Sequence, residues 1–420
     1  MNALTYPDRG SLDILPAPRP AGIMRGTSDY TKASLALFLA GFSTFSLLYC
    51  VQPLLPAFAA HFGIDAATSA LSLSVTTGAL ALAIFAAGAF SQLASRRRLM
   101  FGSMAVAAVM NLAAAVAPGW STLLTARLLE GLALGGVPAV AMAYLAEEMH
   151  PRDLGKAMGL YVAGTAFGGM VGRVGMGLVS EFASWREAMA ILGAIDLVAA
   201  IGFLFLLPPS RNFVVQRGFN LAHHGRIWGG LLRNSRLIRL FSIGFIVCSV
   251  FVALFNFAGF RLVAAPYHLG QSAISAIFLV YLLGMYASSA AGGLSDRYGR
   301  KRPLLVGLVV MAIGVVVTLS HALPLVILGI ALVTIGFFIS HSVASGWVGR
   351  LAGSGKSHAA SLYLLFYYLG SSIIGAAGGW FWEGAGWGGV AGLTGVLALA
   401  GLGLALSMPE ESMPEETARG

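Results

Sequence analysis

Residues 292–301, GGLSDRYGRK, lie in a polar gap between two apolar runs, and residues 88–97, GAFSQLASRR, lie in another such gap 204 positions earlier. Glycine opens both stretches, serine stands fourth in both, and two cations close both. Chains threaded repeatedly through a bilayer are often built from duplicated halves, and a repeat running in the same chain direction relates the halves by an axis along the membrane normal. A second echo agrees. GLYVAGTAFGG from Gly159 stands beside SLYLLFYYLGSS from Ser361, with the Leu-Tyr pair and the glycine seven residues after the tyrosine in register. The chain reads as one plan used twice.

Working outward from these turns, the 420 residues are 57% hydrophobic and 10% charged, with mean hydropathy +0.81. A soluble domain carries about 25% charged residues and could not hide this much apolar surface from water. Twelve apolar segments can be read, each near the ~20 residues a helix needs to cross hydrocarbon. They are 33–55, 69–93, 99–117, 121–146, 157–182, 186–207, 237–260, 273–294, 303–320, 323–347, 359–381 and 387–407. The expected fold is an all-α membrane protein of twelve transmembrane helices in two pseudo-symmetric six-helix halves. Its parts are a disordered tail over 1–32, a first half over 33–207, a basic linker over 208–236, a second half over 237–407 and a C-terminal tail over 408–420.

Charge sets the orientation, because cytoplasmic flanks retain Lys and Arg. All but four of the 26 cations fall in the tails and the even-numbered gaps; Arg186 and Arg261 lie in odd gaps, and Arg127 and Arg173 lie within spans. Both termini are therefore expected in the cytoplasm, and the net charge of +9 is a topological signal rather than a footprint for nucleic acid. Cys50 and Cys248 sit in apolar runs and offer no disulfide framework. The chain has no Asn-x-Ser/Thr sequon and only short outer loops, as expected of a multi-pass protein of a bacterial inner membrane.

The stretch Gly292 to Lys301 fits GxxxDRxGRK and resembles the signature loop of the major facilitator superfamily, in the expected place between spans 8 and 9. The resemblance covers the whole transmembrane chain and implies alternating access between two halves. It implies gating roles for Gly292, Asp296, Arg297, Gly299, Arg300 and Lys301, and for Gly88, Gln92, Arg96 and Arg97 in the first copy. That copy departs from the pattern: Gln92 stands where the family has Asp, which puts a charge-based latch in the first half in doubt. Arg127-Leu-Leu-Glu130-Gly131 in span 4 is similar to the family's RxxQG, with Glu130 in place of Gln. Gly164, Gly168, Gly169 and Gly172 in span 5 resemble the helix-packing motif of its antiporters, although Gly169 takes a Pro position and Arg173 the place of the last Gly.

An ionised side chain at bilayer depth costs about 2.5–3.5 kcal/mol, so intramembrane charges are functional candidates. Arg127 and Glu130, three apart on one helix face, read as a pair in which Glu130 carries a proton, or as a permanent ion pair locking span 4 to span 5. Arg173 can bind an anionic substrate or tether the first half by sharing Glu130, and the tether is favoured. Asp196 either faces a groove or is held neutral by apolar neighbours. Phe42, Phe45, Tyr49 and Gln52 of span 1, Asn256 of span 7, Tyr281 of span 8, His341 of span 10, and Tyr363 and Tyr367 of span 11 are candidates for a central cavity. Such walls imply an uncharged or amphipathic ligand. Pro138, after Gly135-Gly136, should bend span 4.

GSGKS at Gly353 fails as a P-loop, because Arg350 occupies the first glycine position, and His223-His224 lacks companion metal ligands and reads as solvated. The sequence therefore predicts a secondary transporter with no catalytic, cofactor or metal site, acting as a monomer in the lipid bilayer. It exports a small organic solute (a drug, sugar or metabolite) by proton-coupled antiport, with uptake symport or uniport as the alternative. An intramembrane enzyme or a receptor would need a catalytic cluster or a large extramembrane domain, and neither is visible.

Overall fold

The first crossing begins where the Thr27 hydroxyl accepts from the Tyr30 amide and runs as helix over Ser28–Tyr49. Pro53 and Pro56 cannot donate to a helical ladder, so the chain passes through a tight turn, Gln52–Leu54, before finishing as Leu55–Phe62. Gly63, at φ 64°, ends it, and the Asp65 carboxylate caps span 2 by accepting from the Thr68 amide at 2.6 Å. This computed structural model describes residues 22–90, 95–212 and 221–410. Among those residues there is no strand beyond an isolated bridge between Ile23 and Met149.

Span 2 is Ala66–Phe90 and span 3 Arg96–Ala115; span 4 is split into Trp120–Leu134 and Pro138–Glu148. Spans 5 to 7 are Pro151–Phe182, Trp185–Leu206 and Ser235–Val263. Span 8 comprises Gln271–Ala276, Ile277–Val280 and Tyr281–Tyr298, and spans 9 and 10 are Lys301–Val317 and Leu323–Leu351. Spans 11 and 12 share Lys356–Leu406, divided by non-helical Ala385 and Gly386. Nine helices among the described residues are individually long and apolar enough to cross a membrane. The other crossings are the interrupted span 4, the 17-residue span 9, and the second passage within the 51-residue helix.

Close approach of helices is bought with glycine at defined places. Gly164, Gly168 and Gly172 lie against the backbone of Phe38, Phe42 and Ser46, four-residue steps on span 5 matched by four-residue steps on span 1. A Cβ at Gly168 would stand 2.2 Å from the Phe42 carbonyl oxygen. Gly169 does not share this line; its carbonyl instead accepts from Arg173 at 2.6 Å.

The two halves meet along spans 2 and 11 and along spans 5 and 8. Contact between spans 5 and 8 is concentrated at Gln271–Val280, the end remote from both termini. There Glu181 accepts from the Ser272 amide at 3.0 Å, Gln271 donates to the Pro53 carbonyl, and Gly177 packs on Ser275. Span 2 seals the other seam, with Gly379 against Ala67 and the Ser372 hydroxyl donating to the Ser74 carbonyl at 2.7 Å. This far end is closed, whereas the rest of span 8 parts from span 5 toward the end that bears the termini.

Two expectations need correction. The tail expected to be disordered over 1–32 is docked from Gly22: Ile23 exchanges backbone hydrogen bonds with Glu148 and His150, Arg25 donates to Asp153, and helix starts at Ser28. Residues 1–21 lie outside the described residues, as do 411–420 of the C-terminal tail. Within the linker, Leu221–Arg233 forms an amphipathic helix, and His224, read from sequence as solvated, lies 2.9 Å from His358 and beside Trp228. Trp228 also stacks on Phe85 of span 2, with ring centroids 4.3 Å apart.

Candidate functional site

The helix Ser28–Tyr49 leaves its last carbonyls without intrahelical partners, and that end carries partial negative charge. Arg127 fills it. The guanidinium, 0% exposed, donates to Leu47 O at 3.2 Å, Leu48 O at 2.9 Å and Ser72 O at 3.2 Å, and to the Glu130 carboxylate at 2.7 Å. The pair thus ties span 4 to spans 1 and 2, correcting the reading that it locks span 4 to span 5. One Glu130 oxygen is taken by Arg127; the other is buried with no partner. Gly131 follows directly, its missing side chain admitting the Thr76 carbonyl, and the helix breaks at Gly135–Val137 ahead of Pro138, where the sequence predicts a bend.

Asp196 does not face a groove. It is fully buried against span 1 and accepts from the Ser46 hydroxyl at 3.0 and 3.2 Å. Beside it, Asn111 donates to the Met189 carbonyl at 2.7 Å, and Cys50 donates to Leu47 O at 3.1 Å. Ser46, Leu47, Leu48 and Cys50 are successive positions around one helix end, so the acidic side chains of spans 4 and 6 both gather on that turn.

Arg173 does not share Glu130. Its Nε donates to Gln52 Oε1 at 2.7 Å and its Nη1 to Gly169 O, while Gln52 Nε2 donates across the seam to Asn256 Oδ1 at 2.8 Å. Asn256 Nδ2 continues to the Gly375 carbonyl at 3.3 Å. The tether therefore reaches from the first half into the second. Sequence reasoning named Gln52 and Asn256 separately and missed their pairing, although the signal was present: they are 204 residues apart, the offset that aligns Gly88 with Gly292. The 202-residue offset that aligns Gly159 with Ser361 likewise aligns Arg173 with Gly375. The equivalent positions Gln52 and Asn256 thus meet on the pseudo-axis.

The second half contributes rings. Phe251 stacks on Phe337 at 3.9 Å, Phe255 on Phe278 at 4.9 Å, and Tyr281 stands edge-on to Phe251 at 5.6 Å. His341 Nδ1 lies 3.0 Å from the Tyr363 hydroxyl, and its ring packs on Tyr367 at 4.6 Å. Phe251 and Phe337 were not singled out from sequence, although Phe251 with Phe255 and Phe337 with His341 show the four-residue spacing of one helix face. Of the first-half candidates, Tyr49 joins the cluster through Arg173, with Phe45 at 6.2 Å, whereas Phe42 packs on Phe167 of span 5. Tyr286, 79% exposed, lines a separate groove with Leu294, Val306 and Ile339.

Several gating residues make contacts inside their own halves. Arg96 pairs with Glu147 at 2.7 Å, Arg97 donates to the Leu204 carbonyl, and Arg300 donates to Gly346 O at 2.8 Å. Arg297 lies over the Tyr298 ring, and with Arg300, Lys301, Arg302 and Glu410 it rims one cleft at the terminal end. Gly299 turns at φ 74°, while Gly88 and Gly292 are helical. Gln92 and the side chain of Asp296 lie outside what the structure describes.

The family model described as Major Facilitator Superfamily matches residues 37–288 and 257–420. The chain is 44% identical over 382 residues to the uncharacterized MFS-type transporter YybF of Bacillus subtilis, covering 91% of this chain and 94% of the relative. It is 41% identical to the inner membrane transport protein YnfM of Escherichia coli, covering 88% of each. Among solved structures, it is similar to the nucleoside transporter NupG, with TM-score 0.72, 16% identity and coverage of 89% of this chain and 99% of the other. A bacterial homolog of the human lysosomal transporter Spinster, in an inward-facing conformation, gives TM-score 0.70 at 14% identity, covering 91% and 96%.

Proposed function

We propose, from the premise that this chain belongs to the Major Facilitator Superfamily and is therefore a secondary transporter and not an enzyme, that it exports a small organic solute in exchange for protons. In this reading the halves 33–207 and 237–407 rock about the Gln52–Asn256 contact in a bacterial inner membrane, with both termini and the 208–236 linker in the cytoplasm. The protein acts as a monomer and draws on the proton gradient alone. The observation that carries the reading is Glu130: fully buried, one oxygen on Arg127, the other unpartnered, and one turn from the break in span 4.

Proton uptake at the free Glu130 oxygen converts a charge pair into a neutral acid beside a cation. Arg127 is not stranded, because three backbone carbonyls continue to hold it. The carboxyl can thus change charge without collapse of its surroundings, and the interrupted helix gives the change a place to act on span 4. Solute binds from the parted terminal end and leaves through the far end, and the proton travels the other way.

Everted vesicles test this. Wild-type vesicles are expected to accumulate solute only with an imposed pH gradient, whereas Glu130→Gln keeps gradient-independent solute exchange and loses gradient-driven accumulation. Undiminished accumulation by Glu130→Gln removes the residue from coupling. Accumulation with the opposite gradient sign assigns uptake symport, and transport indifferent to the gradient assigns a uniporter.

A further inference from the structure

Two buried arginines of the first half live differently. Arg127 has a carboxylate and three carbonyls, whereas Arg173, 1% exposed, has among the described residues only two neutral acceptors, Gln52 Oε1 and Gly169 O. Its Nη2 is buried and has no hydrogen-bond partner. A guanidinium offers five donors in a planar fork, and an uncompensated cation at bilayer depth is costly unless something of opposite charge meets it. What surrounds Arg173 is aromatic: Tyr49 from its own half at 4.1 Å, and Tyr281 and Phe278 from the other half at 4.9 and 5.2 Å. Ring faces relieve part of the charge without occupying the N–H donors. The Tyr281 hydroxyl is a second buried donor without a partner in the same place.

From this juxtaposition we infer that the transported solute is an organic anion whose acidic head is received by Arg173 Nη2 and the Tyr281 hydroxyl and whose apolar body lies against the rings of Tyr49, Phe278 and Phe255. The inference rests on the transporter reading above but not on its proton coupling. It narrows the expectation of an uncharged or amphipathic ligand to an amphipathic one of defined sign. The position also gives binding a consequence. Arg173 and Asn256 hold the two ends of the Gln52 amide, so an anion that takes over the guanidinium loosens Gln52 at the contact where the halves are bolted. The equivalent of Arg173 in the second half is Gly375, whose backbone carbonyl is already used by Asn256, so the pseudo-axis carries one anion site rather than two.

Thermal unfolding of the purified full-length protein, with no gradient present, tests this with benzoate, phenylphosphonate and hexanoate set against benzamide, benzyl alcohol and benzylamine. At least one anion is expected to raise Tm in a saturable way while its neutral and cationic counterparts do not, because a ligand that prefers the folded state stabilises it. Arg173→Gln, folded by gel filtration, should weaken that anion's Kd about 10- to 100-fold, the scale of a charged hydrogen bond, with Arg173→Lys and Tyr281→Phe retaining part of the affinity. Any other pattern overturns the inference: no anion shifting Tm, neutral analogues shifting it equally, or Arg173→Gln leaving Kd unchanged. The comparison among wild-type ligands holds even if Arg173→Gln does not fold. Because no gradient enters, anion-selective binding together with uncoupled vesicles would sink the antiport reading alone, and coupled vesicles with charge-indifferent binding would sink this inference alone.

Discussion

The two halves follow one backbone plan but fill their interiors with opposite chemistry. The first buries Arg127, Glu130, Arg173 and Asp196; the second buries Phe251, Phe255, Tyr281, Phe337, Tyr363 and Tyr367 together with Arg261, and among the described residues no carboxylate. Duplication supplied equal frames, and in the proposed mechanism the difference assigns labour. A half that holds ionisable groups on helix-end carbonyls can exchange protons, and a half that stacks rings can clasp an apolar body. The buried arginine at their seam, Arg173, belongs to the first half but is covered by rings of the second.

The largest effect that could break this contrast is at Arg127. Arg127→Met strands a buried carboxylate and should cost about 3–5 kcal/mol in unfolding from mixed micelles, while adding Glu130→Met should recover most of it. A single substitution no worse than the double would mean that the first half is not built around a compensated pair. Next comes span packing: Gly168→Ala pushes a methyl into the Phe42 carbonyl and should cost about 1–3 kcal/mol. Gly292→Ala, in open space, should change the unfolding free energy little, within about 0.5 kcal/mol. On the aromatic side, Phe337→Leu removes the stack on Phe251 and should cost about 0.5–1.5 kcal/mol, leaving the gradient response of vesicles intact. Apart from the Gly292→Ala control, the smallest effect is at the axis, where a double-mutant cycle between Gln52→Ala and Asn256→Ala should give a coupling of about 0.6 kcal/mol. Zero coupling there would detach the pseudo-axis from the sealing of the far end.

The twelve crossings were legible because an apolar run of bilayer length is a local property, and the breaks at Gly135–Val137 and Ala385–Gly386 and the short span 9 disguise it in the helix bounds. The span 5 glycines were legible for the same reason, since four-residue spacing is visible in one strip of sequence. Arg127 with Glu130 could be read as a pair from a separation of three. The partners that give the pair its meaning could not, because Leu47 and Leu48 contribute backbone carbonyls, which no residue type announces. The two readings of Asp196 could not be separated from sequence because its partner, Ser46, is an ordinary residue 150 positions away. His224 and Trp228 were hidden in a segment whose composition is basic and polar, although alternate faces of the same helix are apolar.

That connector helix has a mechanical meaning. Trp228 touches Phe85 of one half and His358 of the other, so a third body buckles the bundle across its open mouth. In the proposed cycle, swinging the mouth shut would require the buckle to slip or fold away.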